Sequence, residues 1–325
     1  GPACYGRGGV EPTVTDANVV LGLMPEGRVA NGQITIAREL AEAAVERIAG
    51  PLGLTVLETA DGIHRIANAR MTRAQRSVSS ARGRNPRDFA IIAYGGSGPI
   101  HACGLADELG ASTVVVPPVA GLFSAVGLLV ARPEFHEVRP CHLDVDTVDP
   151  AEVVDLVDEM HDALGQAFAG REDPTWVRSA ELRYAGQSWE VEVELPVGPI
   201  DRELLARLRA RFEDEHELLY GVRGQPGSPV HLRAVRLAAL GSPAPGLSFD
   251  PDWPLLPGRP PARLLCVGGT ATEVTVRTRE SIGPEREAGP VLVDEYDTTV
   301  VVPRGWSVRR QLETGALLLE RGVTG

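Results

Sequence analysis

The chain has 325 residues, 43% hydrophobic and 23% charged, which is enough for two domains with cores of their own and is ordinary for a globular protein. Its net charge of -12, with every Lys+Arg cation an arginine, disfavours nucleic acid or an anionic membrane as partner. Cys4, Cys103, Cys141 and Cys266 lie far apart with no C-x-x-C, so they read as reduced cytoplasmic thiols and exclude a disulfide framework or zinc site.

In chain order, residues 1–22 are glycine-rich and then strand-like or loop-like. Gln33–Ala49 carries apolar residues at helical spacing, and Gly50-Pro51 is expected to stop that helix. A second helix is expected from about Thr59 to Ser80, with Arg70, Arg73 and Arg76 on a solvated face. Phe89–Tyr94 reads as a buried strand, Pro99–Leu109 as a helix ended by Gly110, and Thr113–Val116 as the next strand. This alternation predicts an α/β layer with a largely buried sheet. The apolar stretch Ala120–Ala131 is too short to span a bilayer, and no signal peptide opens the chain.

Past Arg132-Pro133 the pattern changes. Asp149-Pro150-Ala151-Glu152 is a helix start, with Val153, Val157, Met160, Leu164 and Phe168 as its buried face. Ser179–Tyr184 and Ser188–Leu195 alternate as two strands joined around Gly186-Gln187, and Asp201–Tyr220 is amphipathic. Residues 243–261 hold seven prolines and read as a linking segment. Short strands follow at Leu264–Val267, Glu273–Arg277, Val291–Val293, Thr298–Val302, Ser307–Arg309 and Ala316–Leu319. Gly268-Gly269-Thr270 resembles a phosphate loop, but the flanking alternation favours a hairpin turn. The acidic group Glu213, Asp214, Glu215 and Glu217 reads as a solvated helix face.

The functional signal lies where strand passes into helix, in Gly95-Gly96-Ser97-Gly98-Pro99. Glycines let the backbone approach a ligand closely, and the free N–H groups of a helix's first turn favour an anionic guest. A P-loop is excluded because the sequence contains no lysine. A dinucleotide fingerprint fits poorly: His101 stands where its third glycine should be, and Pro117-Pro118 follows the next strand instead of an acid. Taken alone, the turn is as consistent with a tight connection as with a binding loop.

Further candidates are weaker. Asp16 either faces a cleft or caps the turn into Asn18. Cys4, Tyr5 and Arg7 sit in a glycine-rich loop suited to lining a substrate pocket, with Arg7 able to hold a carboxylate or phosphate, although no base stands ready to activate Cys4. His101 reads either as a flank of the turn or as structural. His64, His136, His142, His161, His216 and His231 show no metal-ligand spacing.

GPACYGRGG at 1–9, PTVTDAN at 12–18, PRDFAIIAYGGSGPIHAC at 86–103 and VVVPPVAGLFSAVGLL at 114–129 occur in one order. RYAGQSWEVEV at 183–193, FEDEHELLYG at 212–221 and GPVLVDEYDTTVVVPRGW at 289–306 follow. Together they resemble the A-type subunits of the hydantoinase/oxoprolinase family, which includes ATP-dependent hydantoinases, 5-oxoprolinases and subunits of acetone and acetophenone carboxylases.

The resemblance implies the second half of an actin/Hsp70/sugar-kinase-like (ASKHA) ATPase domain over residues 1–132. A smaller α+β domain rich in short strands would fill 133–325. It further implies ATP contact by Gly95, Gly96, Ser97 and Gly98, flanked by Tyr94 and His101. Asp16 would be a catalytic candidate, and Cys4, Tyr5 and Arg7 pocket residues. The implied reaction is ATP-driven opening of a small cyclic amide, with Mg2+ and a B-type partner subunit in an oligomeric assembly. The family's acidic glycine–threonine loops, which would hold magnesium, do not occur in the sequence. Gly1 already lies inside a motif, so the chain reads as the C-terminal half of an enzyme, poor at ATP hydrolysis by itself. The alternatives are an ATP-dependent ketone carboxylase subunit and a non-catalytic binding or assembly relative.

Overall fold

A computed structural model describes residues 1–29, 34–225, 227–243 and 260–322. In chain order the helices are α1 Val14–Val20, α2 Arg38–Leu52, α3 Val56–Ala81, α4 Gly98–Leu109, α5 Phe123–Val130, α6 Pro150–Phe168 and α7 Arg202–Tyr220. The strands are β1 Gly27–Val29, β2 Ile34–Ile36, β3 Ile91–Ile92, β4 Thr113–Val116, β5 Glu134–Asp144, β6 Thr175–Tyr184, β7 Val191–Glu194 and β8 Val230–Leu240. They continue with β9 Ala262–Val267, β10 Thr270–Arg277, β11 Glu287–Ala288, β12 Val291–Asp294, β13 Thr299–Val302, β14 Trp306–Arg310 and β15 Leu317–Arg321.

The chain divides into two compact units. One holds Gly1–Ser80, Arg84–Leu128 and the described residues from 260 onward; the other holds Ala81–Gly83 and the described residues of Leu129–Leu247. In the first unit, a five-stranded sheet runs β11-β14-β15-β4-β3 and a four-stranded sheet runs β13-β12-β10-β9. The parallel pair β3/β4 is the part expected of an α/β layer, while β15 pairs antiparallel with β4 from the far end of the sequence. That pairing divides the single domain expected over 133–325. Its last part shares a core with Val114 and Val116, through Val291, Val293, Leu317 and Leu319. The second unit is an antiparallel sheet, β5-β8-β6-β7, with Leu182, Leu232 and Leu237 packed in one core with the buried faces of α6 and α7.

Local chemistry sets the boundaries. Expected as strand or loop, 14–20 is helical, because Thr13 and Asp16 form a reciprocal capping box. A second capping box starts α3: Thr55 N–H donates to Glu58 Oε2 (2.8 Å), and Glu58 N–H donates to Thr55 Oγ1 (3.2 Å). α2 runs on through Gly50-Pro51, which were expected to stop it, and ends at Gly53, whose φ of 67° is left-handed. Its expected first residue, Gln33, lies outside the described residues, as does most of the proline-rich 243–261. Asp149 caps α6, and the five apolar residues expected on that helix are its buried face. Gly268 and Gly269, both at positive φ (60° and 75°), turn β9 into β10 as a hairpin. The strand expected over Phe89–Tyr94 is only Ile91–Ile92 and is not buried: Phe89, Ile92 and Tyr94 are each about half exposed. Among the described residues, no helix is long and apolar enough to cross a membrane.

Candidate functional site

The glycine-rich turn joins β3 to α4. Ala93 N–H still pairs with Val115 O (2.9 Å), after which Gly95 turns at φ 85°. An L side chain at that φ is strained whatever the space around it. Ser97 stands at the N-cap of α4 without a side-chain cap bond, and Pro99 occupies the first turn. Gly96 is exposed, while Ser97 and Gly98 are half-buried. α4 therefore presents its positive end at an accessible turn. The Tyr94 ring lies 5.7 Å from that of Phe123, tilted 53°, and remains half exposed beside the turn.

Two other loops hold the turn. Gly95 N–H donates to Ala120 O (2.7 Å) in the segment after β4, where Val119 adopts φ 50°, an outlying value for a β-branched residue. From the β12–β13 connection, Thr298 Oγ1 donates to Gly96 O (3.0 Å), and Asp297 Oδ2 accepts from Gly121 N–H (2.7 Å). A Cβ on Gly121 would lie 2.6 Å from Asp297 O, so this approach requires glycine. Sequence reasoning missed Asp297, Thr298 and Gly121. The available signal was polar residues crowded into Asp294–Thr299 between two apolar strands. Behind the turn, Arg279 is buried against Glu295, with Nε–Oε2 2.9 Å and Nη2–Oε1 2.7 Å. Its other N–H groups donate to Val116 O (3.2 Å), Pro117 O (3.0 Å) and Gly315 O (2.7 Å).

Asp16 does not face this turn. It is fully buried, and its carboxylate accepts from Cys4 N–H (2.8 Å), Ala3 N–H (3.2 Å), Thr13 N–H (2.8 Å) and Thr13 Oγ1 (2.7 Å). Burial alone raises its pKa, but the hydrogen bonds from Cys4 and Thr13 outweigh that and hold it below the usual carboxylate range. Asp16 is the third residue of the Thr13 capping box and does not cap a turn into Asn18; its acceptor positions are occupied by these donors. Cys4 is buried likewise. It lies at 0% exposure in the core, and burial followed by its bond to Asp16 pushes the thiol up to about 12. We expect Cys4 to resist alkylation at neutral pH until the chain unfolds, as mass spectrometry after iodoacetamide would show; rapid labelling of the folded chain would contradict this. Tyr5 is half-buried and Arg7 exposed, so only these two of the three loop residues remain accessible.

His101 also turns away from the glycines. It is 4% exposed and shares a buried polar cluster with Asn18, His64 and Asn68, its ring stacked on that of His64 at 4.5 Å between centroids. Among the described residues, no three His, Cys, Asp or Glu side chains converge as metal ligands.

Residues 1–137, which include the turn, match the hydantoinase/oxoprolinase family model. That part of the chain belongs to the hydantoinase/oxoprolinase family. Caprolactamase subunit alpha of Pseudomonas jessenii is 33% identical over 323 residues, covering 95% of this chain and 46% of that subunit. The crystal structure of the ATP-dependent caprolactamase from the same organism superposes with a TM-score of 0.79 at 32% identity, over 99% of this chain and 48% of that one. The acetophenone carboxylase gamma subunit of Aromatoleum aromaticum is 41% identical over 128 residues, 39% of this chain and 17% of that subunit. The chain thus spans about half the length of caprolactamase subunit alpha. As a hydantoinase/oxoprolinase relative it has the expected fold class: α/β, with an ASKHA-like part and a smaller α+β part.

Proposed function

We propose that this chain is the nucleotide-binding part of an ATP-dependent cyclic amide hydrolase of hydantoinase or 5-oxoprolinase type. The observation that carries the reading is the Gly95–Gly98 turn, set at the start of α4 and held by Ala120 and Thr298. Backbone N–H groups there suit phosphate oxygens, and the exposed Tyr94 ring suits the adenosine side. Gly95, Gly96, Ser97, Gly98 and Tyr94 are the contact residues in this reading, with Tyr5 and Arg7 on the substrate side. Transfer of the γ-phosphoryl group to the amide oxygen releases ADP and activates the carbonyl carbon toward water. Catalysis would rest on positioning and charge stabilisation.

The magnesium that accompanies ATP fits this chain poorly, since among the described residues no three His, Cys, Asp or Glu side chains are grouped to hold a metal ion. We assign its ligands to the remainder of the complete protein and derive no step through it. A B-type subunit would complete the enzyme, in an oligomer. Four free cysteines, two of them buried, suit a cytoplasmic setting.

The test uses the chain together with the polypeptide supplying the remaining length of its relatives. Gly95→Val and Gly98→Val should each abolish ATP binding measured by calorimetry, and unchanged binding in both would sink the assignment. Tight ATP binding by this chain alone would contradict the claim that both parts are needed. The 41% identity with a carboxylase subunit supports a second reading, an ATP-dependent ketone carboxylase. ATP turnover stimulated by bicarbonate plus a ketone, and not by a lactam, hydantoin or 5-oxoproline, would select it.

A further inference from the structure

The buried polar cluster is a closed ring. Asn18 Nδ2 donates to His101 Nε2 (3.2 Å), and His101 Nδ1 donates to Asn68 Oδ1 (2.7 Å). Asn68 Nδ2 then donates to His64 Nε2 (3.3 Å), and His64 Nδ1 donates back to Asn18 Oδ1 (2.8 Å). Every imidazole gives one hydrogen bond and takes one. Reversing both amides reverses the sense of the ring and again requires two neutral imidazoles in one shared tautomer. A second proton on either histidine sets N–H against N–H and opens the ring. All four side chains are buried, so water offers poor compensation. Gly104 marks how closely the helices approach: a Cβ there would lie 2.8 Å from Asn68 Nδ2.

The ring joins α1, α3 and α4, and His101 lies one helical turn beyond Gly98. We propose that Asn18, His64, Asn68 and His101 act as one positioning unit that fixes the Gly95–Gly98 turn through α4 and releases it on protonation. The importance of that release rests on the nucleotide reading of the turn; the ring itself does not.

The surrounding charges favour the neutral state. Burial, then the neighbouring His64, holds His101 down to about 4. Burial also lowers His64, although Asp61 on α3 faces it and favours its cation. On α1, Asp16 is committed to the Cys4 and Thr13 donors. On α4, Asp107 serves Trp306 and Arg321, and the Cys103 thiol is pushed up by burial. β13, packed against α4, carries no charged residue.

Histidine 15N spectra of the full chain, recorded from about pH 8 to about pH 3.5 so as to pass the His101 midpoint of about 4, test this, with backbone amide shifts of Gly95, Gly96 and Gly98 read in the same samples. Both rings should be neutral in one shared tautomer at neutral pH, and the glycine amides should shift with the rings' acid midpoint. Asn68→Asp should invert the dependence, because the new carboxylate accepts from His64 Nε2–H and the ring then closes when His64 is charged. Its midpoint should rise by about 1–3 pH units. If Asn68→Asp does not fold, Asn18→Asp transfers the same effect to His101.

Mixed tautomers, midpoints near the unperturbed value of about 6.5, or glycine amides that stay fixed while the rings protonate would overturn the proposal. Failure of the nucleotide reading would show separately, as absent ATP binding with the ring behaving as described.

Discussion

Arg279→Met should destabilise the chain by about 3–5 kcal/mol at neutral pH, the cost of removing one partner from a buried ion pair. The substitution does more than take the guanidinium away from Glu295. Arg279 also serves the carbonyls of Val116, Pro117 and Gly315, which lie where β4 ends and where the chain approaches β15. Burial already raises the Glu295 pKa despite the guanidinium that opposes it. Without Arg279 the acid should move higher still. A group whose folded pKa is raised contributes stability below its unfolded value and loses it as pH rises through the folded value. The variant should therefore recover part of its deficit on moving from pH 7 to about pH 5, as urea titrations at the two pH values would show. Replacing both partners by apolar residues is often neutral for a simple buried pair. Here the double variant should stay destabilised, because three backbone acceptors lose their donor. A single variant within about 1 kcal/mol of the parent would refute the argument.

Arg279 also shows where sequence reading stops. Elements written in local chemistry were legible: the capping aspartate and apolar stripe of α6, the double-glycine hairpin, and the strand–glycine–helix passage into α4. Elements decided by distant partners were not. Nothing near Arg279 announces that its carbonyl partners lie more than 150 residues back, at Val116 and Pro117. β5 and β8 were not foreseen: Pro140 and alternating charges disguise the first, which tolerates them as an edge strand with a bulge between Pro140 and Leu143. α1 was read as strand or loop because β-branched residues dominate Val14–Val20, and its capping box overrides that preference.

The site was legible to the same extent. Gly95–Gly98 is a local pattern, whereas its supports at Asp297 and Thr298 are some 200 residues away. His101 and Asp16 were recognisable as unusual residues in unusual places. Only the three-dimensional contacts show that Asp16 ties Ala3, Cys4 and Thr13 together and that His101 bonds Asn18 and Asn68.

Asp16 should anchor the segment before α1 strongly. Asp16→Ala would strip the carboxylate from three backbone N–H groups and the Thr13 hydroxyl, and release the capping box that starts α1. A loss of about 3 kcal/mol follows from unsatisfied buried donors plus a lost cap. Asp16→Asn should not restore it, because an amide turns an N–H toward donors on one side of the old carboxylate. A stable Asn variant would show that the site is not saturated as described.

The pH dependence separates this residue from the histidine ring. A carboxylate with a depressed folded pKa contributes stability above its unfolded value of about 3.9, lost as pH falls through the folded value. Histidines held neutral lose their contribution earlier, as pH falls below about 6.5; for His101, held down to about 4, this is on the order of 3 kcal/mol. Stability should therefore decline in two stages on acidification. Asp16→Ala should shrink the lower stage, to which Glu58, Glu134 and Glu320 also contribute, and leave the upper in place, whereas Asn68→Asp should displace the upper. If Asp16→Ala moved the upper stage as well, Asp16 and the ring would have to be treated as a single network, and the independence of α1's two buried polar anchors would fail.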